Sequence, residues 1–110
     1  MVFPNDANGD ALRRMEAEGD DLTRPRNIDF DVVFPDGNSA EQFAKHFRAL
    51  GHEVSVEAAE TRRDFPWDVV VVKRMVPSHE GITGFEDLLQ SAADRWGGHN
   101  DGWGCFSESS

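Results

Sequence analysis

The chain has one cysteine among 110 residues, Cys105, so no disulfide can form within it. No apolar run approaches the length of a membrane span. The opening Met1-Val2-Phe3-Pro4 has neither the basic region nor the apolar stretch of a secretory signal. A cytoplasmic location is expected. Basic residues are scarce, with 11 Lys and Arg against 21 Asp and Glu and a net charge of −10. The cations that lie near one another, Arg13-Arg14, Arg24 with Arg26, Arg62-Arg63 and Lys73-Arg74, are scattered and make no stripe. A phosphate backbone is bound through clustered Lys and Arg, so direct nucleic-acid binding is not expected. Walker loops, dinucleotide glycine fingerprints and nucleophile elbows are missing as well.

What is present is acid, unevenly spread. Residues 78–110 hold one basic group, Arg95, against six acids. An acidic surface speeds encounter with a basic partner and filters wrong ones; it also serves solubility alone.

The apolar pattern predicts an α+β fold in one domain over 1–110, for which this length suffices. Residues 8–18 read as a short helix capped by Asp6 or Asn8, with Leu12 and Met15 on one face and Gly19 at its end. Residues 20–26 read as a connector. Ile28, Phe30, Val32 and Phe34 alternate with Asp29, Asp31 and Val33 as a half-buried strand, stopped by Pro35-Asp36-Gly37. Asn38-Ser39-Ala40-Glu41 resembles a capping box opening a helix with Ala40, Phe43, Ala44, Phe47 and Leu50 inward. A strand over 54–58, a turn region over 60–66 and a strand over 67–73 follow. The third strand is apolar on both faces at 69–72, which suits a central position. Pro77-Ser78 opens the longest helix, and Gly97-Gly98 ends it. A short last strand is expected over 103–106 and a frayed tail over 107–110.

After the first helix the order is strand, helix, strand, strand, helix, strand. That is a ferredoxin-like β-α-β-β-α-β sandwich over 27–106, with a four-stranded antiparallel sheet and an extra N-terminal helix. The helices cover one sheet face. The other face is expected to show Asp29, Asp31, Glu53 and Glu57, with either the 67/69/71 or the 70/72 set. The N-terminal helix, or a partner, is positioned to cover it. An RNA-binding sheet of this kind shows aromatics beside basic groups, and acids stand there instead.

Other constellations are weaker than their bland readings. Asp6-Ala7-Asn8-Gly9-Asp10 begins like a calcium loop, but Ala11 and Ala17 stand where Gly and Glu are needed, so helix capping explains it better. His46, His52, His79 and His99 have no zinc-ligand spacing with one another or with Cys105. His79-Glu80 lacks an accompanying nucleophile, and nothing but His99 stands near Cys105 to depress its pKa. No cofactor and no metal site are expected. Asp101-Gly102-Trp103-Gly104 holds a large apolar plate between two glycines, either a plug in the core or an interface anchor. At the opening of the last strand it reads as structural.

Taken together, Asn5-Asp-Ala-Asn-Gly-Asp-Ala-Leu12, the strand Ile28–Phe34, Met75-Val-Pro77 before a helix, and His99 ahead of Asp101-Gly-Trp-Gly104 resemble the type B regulators of ribonuclease E activity, the RraB-like proteins. The likeness runs from about Asn5 to Cys105. His99-Asn100 stands where that family often has an aromatic residue. The resemblance implies a ferredoxin-like domain with an added N-terminal helix. It implies a non-enzymatic protein that binds ribonuclease E, inhibits its endonuclease activity and alters transcript decay, without a cofactor. On that reading the partner is ribonuclease E or another basic protein. The acids expected to meet it are Asp6, Asp10, Glu16, Glu18, Asp29 and Asp31. Two competitors stay open: an immunity-type protein neutralising a basic nuclease toxin, and a small enzyme or metal binder using His79, His99 and the N-terminal carboxylates. The oligomeric state is not legible.

Overall fold

Alternation along residues 26–34 gives a strand with one greasy face. In the computed structural model, which describes residues 4–58 and 64–105, Ile28, Phe30, Val32 and Phe34 are all fully buried on one side of strand β1 (Arg26–Phe34). The chain runs α1 (Ala7–Ala17), β1, α2 (Gly37–Ala49), β2 (Glu53–Ala58), β3 (Trp67–Met75), α3 (His79–Ala93), a 3₁₀ turn (Asp94–Trp96) and β4 (His99–Gly104). The sheet order is β2-β3-β1-β4, antiparallel throughout. This is the ferredoxin-like arrangement, with β1 and β3 central. Register sets Phe30 opposite Val71 and Val32 opposite Val69, so these four residues face the helices. Val70 and Val72 therefore belong to the other face.

The helices supply the second half of the core. Phe43 and Phe47 of α2 stack in a chain with Phe34 at centroid spacings of 4.8–4.9 Å, and Phe85 of α3 meets Phe30 edge-on at 4.8 Å. Each such pair adds about 0.5–1.5 kcal/mol beyond the area it buries. Leu12 of α1 joins this core, fully buried, with Met15 packed against it.

Several boundaries differ from the sequence reading. The cap of α2 is Asp36, whose carboxylate accepts from the Ser39 N–H at 2.7 Å, so the helix begins at Gly37 and not at the Asn38 box. Asp6, not Asn8, caps α1, accepting from the Gly9 N–H at 2.8 Å. β3 runs on to Met75. α3 ends at Ala93, and the 3₁₀ turn carries the chain to Gly97, left-handed at φ 71°. A Cβ on Gly98 would stand 2.4 Å from the Phe34 ring, so that residue must be small. β4 begins at His99, four residues earlier than expected, and Trp103 lies near its end. Phe106 and the 107–110 tail lie outside the described residues, as do positions 59–63 of the expected turn.

The larger difference is the place of α1. It packs beside α3 in the helix layer, at the β4 side, and does not cross the far face of the sheet.

Candidate partner-binding surface

The two end motifs of the chain meet in space. Asn8 of α1 donates from Nδ2 to Thr83 Oγ1 at 3.0 Å and to Glu86 Oε1 at 2.7 Å, both on α3. Its Oδ1 accepts the Trp103 indole N–H at 2.9 Å, from 95 residues further on. The other Glu86 oxygen accepts from Asn100 Nδ2 at 2.8 Å. The Asn100 backbone N–H donates to Gln90 Oε1, and Gln90 Nε2 donates to the Gly98 carbonyl. One polar chain thus pins α1, α3 and β4 together. Half-buried amides and carboxylates satisfied on several sides fix a geometry, and an unsatisfied one is costly. The apolar side of Trp103 rests against the core. Gly102 makes room for a bulge opposite β1, at φ 106°, a conformation that favours glycine.

The same geometry accounts for the calcium-like stretch. Asp6 caps α1 and pairs with His79 Nε2 at 2.8 Å, Asn8 turns to α3, and Asp10 pairs with Arg13. These oxygens do not converge. The capping N–H of Gly9 and the His79 contact hold the Asp6 carboxyl below its usual pKa. Among the described residues no group of three or more His, Cys, Asp or Glu is placed to hold a metal ion.

A second polar cluster sits where β1 begins. Arg26 and Asp20 form a buried pair, with Arg26 Nη1 on both Asp20 oxygens at 2.7–2.8 Å and Nη2 donating to the Asp21 carbonyl. Burial works against the guanidinium charge, but Asp20 outweighs it and raises the pKa further. Neither residue was singled out from sequence as a pair. Burial pushes the neighbouring Cys105 thiol above its ordinary pKa, against the pull of Arg26. Such a thiol is a poor nucleophile at neutral pH.

The six acids expected at a partner surface fall on two sides of the molecule. Asp6, Asp10, Glu16 and Glu18 lie exposed on or beside α1. Asp29 and Asp31 lie on the sheet face away from the helices. Register adds others to that face: Asp29 stands opposite Val72, which stands opposite Glu53, and Asp68 stands opposite Glu57. The result is a floor of half-buried Val70 and Val72 set among Asp29, Asp31, Glu53, Glu57 and Asp68, with Arg74 at one end. At the opposite end Val33 is buried, and Phe65 meets the His99 ring edge-on at 5.0 Å. The three aromatic side chains of the central strands, Phe30, Phe34 and Trp67, belong to the helix side, where Phe30 meets Phe85 of α3. A cleft at the open end is lined by Asn27, Asp29, Glu53, Val72 and Cys105.

The family model for regulator of ribonuclease activity B matches residues 5–105. The chain belongs to this family. The match begins just before the α1 cap and ends just after β4, so its two limits are the segments that Asn8 and Trp103 tie together. Family membership makes the chain a regulator of ribonuclease activity. No curated protein matches it. Among the described residues, no helix is long and apolar enough to cross a membrane.

Sequence reasoning missed Glu86, Gln90 and Asn100, the middle of the polar chain. Their signal was weak, because each is an ordinary polar residue whose partners lie on another element.

Proposed function

We propose that this chain restrains a ribonuclease by binding it, with ribonuclease E as the target, through acidic surface and without chemistry of its own. Membership of the family supports the ribonuclease connection. The observation that carries the binding step is the open sheet face, where acids surround a floor of valine and no helix lies over it among the described residues. An enzyme that handles RNA needs basic surface. An acidic face is complementary to such a surface and competes there with phosphate. The encounter belongs in the cytoplasm.

The test is inhibition of purified ribonuclease E on an RNA substrate by wild-type chain and by two charge variants. One carries Asp29→Asn, Asp31→Asn, Glu53→Gln and Glu57→Gln; the other carries Asp10→Asn, Glu16→Gln and Glu18→Gln. The expected outcome is a loss of about tenfold or more in inhibitory potency for the sheet variant, as for truncated interface hot spots. Equal potency of all three proteins refutes the acidic-face reading. Inhibition of an unrelated basic nuclease, with ribonuclease E untouched, favours the immunity-type alternative.

A further inference from the structure

On the open sheet face, β3 carries valine where its two neighbours carry acid. Register places Asp29 of β1 opposite Val72, and Val72 opposite Glu53 of β2. These residues form one row across the sheet, with a carboxylate at each end and an apolar side chain between. Two strand spacings separate the acids, about 9–10 Å from backbone to backbone. The cleft over this row, about 370 Å³, is lined by Asn27, Asp29, Glu53, Val72 and Cys105. Its lining holds two carboxylates, an amide, a thiol and a valine, and no cation. β3 is paired with a strand on each side, so an occupant of this cleft is held by side chains and not by added main-chain pairing.

Elsewhere in the molecule carboxylates are engaged. Asp6 meets His79, Asp20 meets Arg26, Glu41 meets Arg48, and Glu86 meets Asn8 and Asn100. Among the described residues, neither Asp29 nor Glu53 has a hydrogen bond or an ion pair. Arg74 shares their face, but it stands in the next row, opposite Asn27, and does not line the cleft. Lys73 belongs to the helix side, with its ammonium 5.2 Å from the centre of the Phe85 ring. Asp29, Glu53 and Cys105 are not placed to hold a metal ion together. A second copy of this chain would bring the same acids to the face, and like charges set against each other are repelled.

We infer that this cleft receives an arginine side chain of the partner. A guanidinium carries N–H donors all round a plane, so it can turn one edge to Asp29 and another to Glu53 while its aliphatic stem lies on Val72. A lysine ammonium is a compact, strongly hydrated charge that meets one of two separated carboxylates without spanning both. The neighbouring acids of the face draw a basic surface in, and the arginine sets where it stops. That the arginine belongs to ribonuclease E rests on the function proposed above; the preference of the cleft for arginine does not.

NMR titration of the full chain with three blocked peptides, Gly-Arg-Gly, Gly-Lys-Gly and the uncharged isostere Gly-citrulline-Gly, tests this without assuming the partner. The arginine peptide should shift the amides of Asp29, Val72 and Glu53 and saturate. The lysine peptide should bind more weakly, and the citrulline peptide should leave these amides unmoved. Asp29→Asn and Glu53→Gln should each weaken arginine binding about tenfold, the loss of one charge-assisted hydrogen bond, while Glu16→Gln on α1 leaves it unchanged. Both cleft acids are exposed, and unchanged melting confirms that the variants fold. Arginine binding that ignores both substitutions overturns the proposal, as does lysine or citrulline binding as tightly as arginine. Magnesium chloride that shifts the same amides at the same concentration overturns it by showing an unspecific acidic patch. Affinity that rises about tenfold on Arg74→Gln overturns it by giving the cleft to the chain's own arginine. Ribonuclease E that fails to bind, beside arginine peptides that need both carboxylates, refutes the partner reading and leaves the cleft. Ribonuclease E that binds the protein carrying Asp29→Asn and Glu53→Gln with full affinity refutes the cleft and leaves the partner reading.

Discussion

At the scale of single residues, Asn8 does the most with the least. It gives one amide to α3 and accepts the Trp103 indole with its oxygen. Asn8→Ala strands the indole N–H and one Glu86 oxygen together. A loss of about 1–3 kcal/mol of stability is expected by chemical denaturation. Trp103→Phe removes the donor together with part of the ring, and because the hydrogen bond is lost in either single variant the double variant should fall short of additivity by about 1 kcal/mol. Additive losses would mean that the two residues do not act together. None of this was legible in sequence, where Asn8 looked like a cap or a calcium ligand, because its partners lie on α3 and β4. His52 is a second case. Its half-buried ring lies 5.5 Å from Phe85 and 5.9 Å from Phe47, and burial, helped by the Lys73 charge, lowers its pKa from 6.5. The folded state therefore prefers the neutral ring. Its contribution is complete above 6.5 and is lost as pH falls through the lowered folded value. Wild type should lose stability relative to His52→Leu between about pH 7 and pH 5, the range in which histidine titrates. A constant difference across that range would contradict the burial argument.

At the scale of elements, legibility followed burial. β1 and β3 were readable because each has one face in the core, which imposes period two, and the half-buried Val70 and Val72 on the other face of β3 make its apolar run continuous. β4 was not, because Asn100 turns toward Glu86 on α3 where an apolar residue would announce a strand. Its start at His99 thus looked like loop. The cap of α2 misled for a different reason. Asp36 belongs to a Pro-Asp-Gly sequence that reads as a turn, and only the chain path shows its carboxylate folding over Ser39. Asp36→Ala should cost about 1 kcal/mol in chemical denaturation, while Asn38→Ala, one residue inside the helix and exposed, should cost little or gain stability. The reverse order would return the cap to the Asn38 box. The position of α1 escaped the sequence altogether. Leu12 and Met15 promise an apolar face, but an apolar face does not name its counterpart, and both sides of the sheet offered one.

For the whole molecule, placing α1 in the helix layer changes what the charge of −10 can do. Had α1 crossed the far side of the sheet, the acids of β1 and β2 would have been spent against it. Instead Asp29, Asp31, Glu53 and Glu57 stand on one face, and Asp10, Glu16 and Glu18 on another. Two acidic surfaces at different places respond to salt in the same way but to substitution in different ways. Screening shortens the reach of exposed charges from about 30 Å at 0.01 M salt to about 8 Å at 0.15 M. Binding to ribonuclease E, read by a pull-down or by anisotropy and not by activity, should therefore weaken steeply across that range. Association should slow more than dissociation quickens, because separated charges act mainly on encounter. The sheet variant should flatten the salt dependence, and the α1 variant should leave most of it. Affinity that does not change between low and physiological salt would sink the electrostatic reading. A salt dependence that disappears with the α1 acids would keep that reading and move it from the sheet face to α1, whose exposed Asp10, Glu16 and Glu18 would then carry the encounter.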